Sequence, residues 1–208
     1  MAETFVLALT AFLVTIDPIG LVPIFIALTR GADVARRRSM AVKGVLIGGA
    51  ILLLFALIGE RALTALGIGM PAFRIAGGLL LLAIAFEMVF EKRGERRAGT
   101  AGQAAEEPSP VDVSVFPLGI PLIAGPAAIT AAILQTGAQA GDPARQALVI
   151  GAMLTVLALV ATTLLASSML AARLGPTLVG VLSRLLGLIL SALAVQQVID
   201  GVRAAFLA

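Results

Sequence analysis

The chain has 208 residues, 60% of them hydrophobic and only 13% charged, with a mean hydropathy of +1.08 and a formal net charge of +3. A soluble domain carries ~45–50% apolar and ~25% charged residues, so this composition excludes a water-dispersed globule and calls for lipid as the solvent. His, Cys, Trp and Tyr are all absent. That removes disulfide exchange, thiolate chemistry, Cys/His metal sites and every Ser-His or Cys-His hydrolase.

An enzyme is therefore not expected, and neither a catalytic residue, a cofactor nor a metal site is expected. The sequence pI of about 10.5 resembles that of a nucleic-acid binder. The basic residues, however, lie between apolar runs, where positive charge reports membrane orientation, so no nucleic-acid partner is expected.

Six apolar runs follow one another: Thr4–Thr29, Met40–Ile58, Ala72–Phe90, Val111–Gly137, Ala147–Ala172 and Pro176–Gly201. Each exceeds the ~17 residues needed to cross hydrocarbon as a helix. None alternates as a barrel strand would. The start, Met1-Ala2-Glu3-Thr4, lacks the basic region of a cleavable leader, so the first run reads as the first span.

The first run contains Asp17-Pro18-Ile19-Gly20-Leu21-Val22-Pro23 in its middle. Proline removes a backbone donor and clashes with the preceding turn, so a break is expected here. Asp17 lies ~20 Å into the run at 1.5 Å per residue. A carboxylate at that depth costs ~3 kcal/mol on insertion scales, so it must face the bundle interior, be protonated or find a cation. It reads either as a proton relay or substrate-amine ligand, or as the cap of the half-helix that follows. Both readings are compatible.

The second run is rich in small residues, Gly44, Gly48 and Gly49, and the third carries Gly77 and Gly78; close helix packing is the expected use. Arg74 opens the third run and Glu87 lies near its end. The segment Glu91–Asp112 mixes both charge signs with Gly, Ala and Pro, and reads as a flexible cytoplasmic linker. It divides the chain into 1–90, 91–112 and 113–208. The fourth run holds Pro117, Pro121, Gly125 and Pro126, followed by Thr130, and a second break is expected there. The sixth run holds Arg184, a residue that cannot shed its charge, and Gln196-Gln197.

The odd-numbered loops and their flanks carry eleven Lys and Arg against four on the other side. The positive-inside rule then places the odd loops in the cytoplasm and both termini outside, in an inner membrane. Asp17-Pro18 and Gly125-Pro126 lie 108 residues apart; Arg74-x-x-Gly77 and Arg184-x-x-Gly187 lie 110 apart. The expected fold class is an all-α membrane protein of six transmembrane helices, arranged as two three-helix repeats with helices 1 and 4 broken. Three spans per repeat is odd, so the second copy is inverted, and such repeats place binding sites near the midplane. The candidate substrate-binding residues are Asp17, Pro18, Gly20, Gly125, Pro126, Thr130, Arg74 and Arg184.

Four segments carry a family resemblance: DPIGLVPIF at Asp17–Phe25, RIAGGLLLL at Arg74–Leu82, IPLIAGPAAIT at Ile120–Thr130 and RLLGLILSALAVQ at Arg184–Gln196. In this order they resemble the MarC family of bacterial and archaeal membrane proteins, over nearly the whole chain. Many relatives have Asn where Leu21 stands, and Gly where Ala127 stands. The resemblance implies a six-helix inner-membrane protein and, for some relatives, transport of small neutral amino acids. More distantly the sequence resembles amino-acid exporters related to lysine exporters.

The expected function is a secondary transporter, an exporter of small neutral amino acids or similar zwitterions, working by alternating access. A passive channel or a non-transporting structural or signalling protein is the alternative. The partners implied are the lipid bilayer, a small zwitterionic substrate and a coupling proton or sodium ion; a homo-oligomer is compatible with the sequence.

Overall fold

A computed structural model of the chain describes residues 1–90, 92, 99, 112–167, 169 and 176–206. Most of the expected linker, with Arg93, Arg96 and Arg97, and also Arg173 of the fifth loop, lies outside the described residues. The described elements are all helical: α1 Ala2–Ile16, α2 Pro18–Leu28, α3 Val34–Ala65, α4 Met70–Val89, α5 Ser114–Ile123, α6 Pro126–Gly137, α7 Pro143–Leu165 and α8 Pro176–Phe206. Among the described residues five stretches are long and apolar enough to cross a membrane, α1 and α2 counting as one, and the bent pair α5–α6 makes a sixth if it forms one span.

Helix starts follow local chemistry. The Asp33 carboxylate accepts from the Arg36 N–H at 2.7 Å, and Asp142 accepts from the Arg145 N–H at 3.0 Å, each satisfying a donor that the first turn leaves open. Pro143 then opens α7, where its missing N–H costs nothing. α3 runs past the expected Ile58, through Gly59, to Ala65, with no Pro in that stretch, and ends before Gly67, at φ 73°. Glu60 and Arg61, expected beyond the second span, thus ride on the last turns of that helix.

Within lipid, helices gain little from hydrophobic contact with each other, so close packing must hold the bundle. The glycines do this. A Cβ at Gly48 would lie 2.6 Å from Ile123 Cγ2 and 3.3 Å from the Gly119 carbonyl oxygen; Gly59 meets Ile133 in the same way. α3 therefore runs alongside α5–α6 in the same direction. Gly78 approaches Val198 and the Ala194 carbonyl, Gly187 approaches Met88, and Gly201 approaches the Pro71 carbonyl at 2.9 Å. α4 and α8 are thus a tight antiparallel pair. α1 and α2 pack on α7, α3 also meets α7, and α1 touches α6 and α8.

Of the five single stretches the broken first span is the most enclosed, with 61% of its apolar window buried, against 17% for α8 at the periphery. Phe12, Ile16, Leu21 and Phe25 join Leu118, Ile123, Met153 and Leu164 in one buried cluster. A second cluster joins Val14, Ala127 and Leu134 to Leu81, Met88, Leu190 and Ala194.

Candidate functional site

Both expected interruptions are present, and they differ in kind. The first is a single residue. Asp17 adopts a left-handed conformation, φ 58° and ψ 70°, ending α1 and capping α2 at once. Its N–H donates to the Leu13 carbonyl at 3.0 Å, and its own carbonyl accepts from Leu21 at 3.2 Å. Its carboxylate accepts from the Gly20 N–H at 3.0 Å. Pro18 follows at the first turn of α2, where proline is tolerated, and Pro23 sits inside α2 without breaking it. Asp17 is 4% exposed, so the cap is a carboxylate held inside the bundle.

Gly20 is part of this cap. A Cβ there would collide with both Asp17 carboxylate oxygens and come within 2.8 Å of Asp17 Cγ. The absence of a side chain at position 20 is what lets the carboxylate reach the α2 amide.

The second interruption is longer. In Phe116-Pro117-Leu118-Gly119-Ile120-Pro121, Phe116 (φ −130°, ψ 129°) and Ile120 (φ −132°, ψ 126°) are extended, as residues before proline are driven to be. Both X-Pro bonds are cis. Leu118 and Ala124 donate five residues back, to the Val113 carbonyl at 3.1 Å and the Gly119 carbonyl at 2.9 Å. The wide coil then turns at Gly125, whose Cβ would lie 2.5 Å from the Pro121 carbonyl oxygen, and α6 begins at Pro126, bent 56° from α5.

The breaks share neighbours: Ile16 and Leu21 lie in the same buried cluster as Ala124 and Ala128. They differ in charge. α2 begins under the Asp17 carboxylate, whereas no side chain among the described residues caps α6. The first amides after Pro126 belong to Ala127 and Ala128, both buried. An uncapped helix start of this kind carries partial positive charge and favours an anion. At the first break the Gly20 N–H is taken by Asp17, the cap that the sequence allowed.

Of the remaining candidates, Thr130 is buried on α6, its methyl against Gly77 of α4. Arg74, one turn before Gly77, is half-buried; its Nε is enclosed without a hydrogen-bond partner among the described residues. Its stem packs at Gly201 of α8. Arg184 is exposed near the other end of the antiparallel α4–α8 pair, three residues before Gly187. The structure thus gathers Asp17, Pro18 and Gly20 at one break and Gly125 and Pro126 at the other, with Thr130 one turn beyond. It sets Arg74 and Arg184 at opposite ends of α4–α8. Gln196, singled out from the sequence, donates to Asp200 at 2.8 Å on the exposed side of α8.

The sequence profile described as MarC family integral membrane protein matches residues 2–206. The chain belongs to the MarC family. It is 40% identical over 206 residues to the UPF0056 membrane protein MJ1677 of Methanocaldococcus jannaschii, covering 99% of this chain and 98% of that protein. Identity is 33% to the UPF0056 membrane protein YvbG of Bacillus subtilis, covering 91% and 90%. Identity is 32% to the UPF0056 inner membrane protein YhgN of Escherichia coli K12, covering 94% of each. No solved structure matches this chain. The family expected from the four motifs is the family shown, and this MarC chain is a multi-pass integral membrane protein.

A further recurrence, outside the four motifs, lies in the turns of this MarC chain. Thr29 and Thr136 each donate to the carbonyl four residues back, at 2.7 and 2.8 Å. Gly31 and Gly141 follow at φ 83° and 85°, a region that favours glycine, and Asp33 and Asp142 cap the next helices. Arg37 and Gln146 then each reach back to the carbonyl of that Thr at 3.5 Å. Asp33 and Asp142 lie 109 residues apart. The signal was visible as Thr-Arg-Gly-Ala-Asp against Thr-Gly-Ala-Gln-Ala-Gly-Asp, but a two-residue length difference hides it.

Proposed function

We propose that this MarC-family chain is a secondary transporter rather than an enzyme, exporting small neutral amino acids or similar zwitterions across a bacterial inner membrane by alternating access. The observation that carries the reading is the pair of unlike breaks in one buried core. A carboxylate marks the first and an uncapped helix start marks the second. Asp17 binds the substrate ammonium or carries a coupling proton; a sodium ion is the other coupling choice. The Ala127 and Ala128 amides, ahead of Thr130, receive the substrate carboxylate. Arg74 and Arg184 act at the two ends of the path.

The same reading takes residues 1–90 and 113–208 as inverted three-helix repeats joined by a cytoplasmic linker, with both termini outside. Four kinds of recurrence support it: Asp17-Pro18 with Gly125-Pro126, the Thr–Gly–Asp turns, the Arg-x-x-Gly segments, and the pattern of packing. The first span packs on the fifth as the fourth packs on the second; the third pairs with the sixth; the first touches the sixth as the fourth touches the third. Every one of these contacts maps onto another, or onto itself, when the halves are exchanged. Two interlocked halves that rock about their shared core would open a midplane site to each side in turn. A standing channel would instead need a polar lining, and among the described residues the buried side chains around both breaks are apolar apart from Thr15, Asp17, Ser114 and Thr130.

The test is flux of radiolabelled glycine, alanine, serine and larger amino acids in proteoliposomes. The expected result is saturable flux of a small zwitterion that falls at least about tenfold in Asp17→Asn, the loss expected for one charged contact. Unsaturable flux, or none for any zwitterion, overturns the proposal.

A further inference from the structure

A cleft of about 680 Å³ opens away from both breaks, at the end of the bundle where α3 and α6 finish and α7 starts. Its walls are the last turns of α3, from Ala56 to Ala65, then Thr136, the Ala140–Gly141 turn, and Gln146 and Ile150 of α7. The volume lies within the ~300–1,000 Å³ of small-molecule sites.

Two opposite charges line it, Glu60 and Arg61. Neighbouring residues on a helix do not face one another, so these two cannot neutralise each other as helical pairs do. One turn away in each direction stand Ala56, Leu57, Thr64 and Ala65, which offer no countercharge. Neither side chain forms an ion pair among the described residues. Glu60 is half-buried nonetheless. Across the cleft Gln146 donates a long hydrogen bond, 3.5 Å, to the Thr136 carbonyl, which orients its carboxamide. Leu57 is 59% exposed and with Ala56 and Ile150 forms an apolar wall.

We infer that this cleft binds a small zwitterion, its ammonium group on Glu60 and its anionic group on Arg61, with the carbon skeleton along Leu57 and Ile150. A separated carboxylate and guanidinium, each without an internal partner, match a ligand that carries both charges. Two sources supply that chemistry: a free amino acid from the aqueous side, and a phosphatidylethanolamine headgroup from the bilayer. The site shares its ligand class with the transport reading but none of its residues, so it stands or falls separately.

The experiment uses the full chain in nanodiscs of phosphatidylglycerol alone. One arm titrates glycine, alanine and serine calorimetrically. The other adds phosphatidylethanolamine and counts retained lipid by native mass spectrometry. Glu60→Gln and Arg61→Gln remove one charge each, and Leu57→Trp fills the cleft while leaving both charges. Asp17→Asn tests the breaks in parallel. The expected result is that one of the two zwitterions binds and that all three cleft variants weaken it about tenfold or more, while Gln196→Ala, on the exposed side of α8, leaves it unchanged and Asp17→Asn removes only amino acid held at the breaks. Amino-acid binding lost only in Asp17→Asn overturns the cleft and leaves the transport reading standing. Wild-type protein that binds neither zwitterion, or cleft variants that bind as wild type does, also overturns it.

Discussion

Asp17 holds a backbone conformation that most side chains avoid, and it does so beside a proline that cannot donate a hydrogen bond. Asn shares both of its abilities, tolerance of the left-handed region and acceptance from the Gly20 amide; Ala has neither. Asp17→Asn should therefore keep a thermal midpoint close to wild type in detergent. Asp17→Ala should lose about 1 kcal/mol or somewhat more, the cost of an N-cap. Equal losses in both would show that the charge itself holds the fold. Asp112 offers a pH-dependent contrast at the start of α5. The Ser114 hydroxyl and amide, with Lys43 at 3.1 Å, hold its carboxyl below the usual range against a smaller opposing effect of burial. A depressed folded value means its stabilisation is present above the ordinary carboxylate value and disappears as pH falls through the lowered one. The stability difference between wild type and Asp112→Ala, followed by thermal unfolding, should accordingly persist at neutral pH, begin to shrink only below about pH 4, and disappear as pH falls through the lowered value.

Elements are held in register by absences. Gly48 lies where the Gly119 carbonyl and the Ile123 side chain press against α3, and Gly44 sits under Leu118 one turn earlier. Gly48→Val should force α5–α6 away from α3 at a cost of about 1–3 kcal/mol, the range for overpacked cores. Gly151→Val, on α7 with nothing near its would-be Cβ, should cost far less. Thermal unfolding of the two variants checks the contrast. The same logic explains why the two breaks differ. A single left-handed residue preserves the hydrogen bonds on either side and leaves α1–α2 one span. Two prolines four residues apart place two extended residues within one coil, and the helix bends.

For the whole molecule, native cysteine is absent, so single cysteines report without background. Cysteine introduced at Glu3 or Ala204 should react with a membrane-impermeant maleimide from outside intact cells, and cysteine at Arg38 only after permeabilisation. The opposite pattern would reverse the orientation. A rocking pair of repeats makes a further demand: substrate should change labelling at cysteines placed at Leu66, outside the cleft, and at Arg38 in opposite senses.

Membrane residence, five of the spans, the family and the positions of both interruptions were legible in one dimension. Length of apolar run, proline chemistry and four short motifs are local properties of the chain. The Asp33 and Asp142 caps were equally local, and were hidden only by unequal turn lengths. Three things waited for the tertiary structure. Asp17 satisfies the Gly20 amide, so the two helix starts differ in charge; that depends on a left-handed backbone and on the empty space at position 20. Arg74 and Arg184 part to opposite ends because α4 and α8 run antiparallel, a relation between segments a hundred residues apart. The cleft between Glu60 and Gln146 exists only because α3 continues past its apolar stretch and meets the start of α7. Composition determines which solvent a chain requires; which polar groups end up beside one another depends on packing between distant segments.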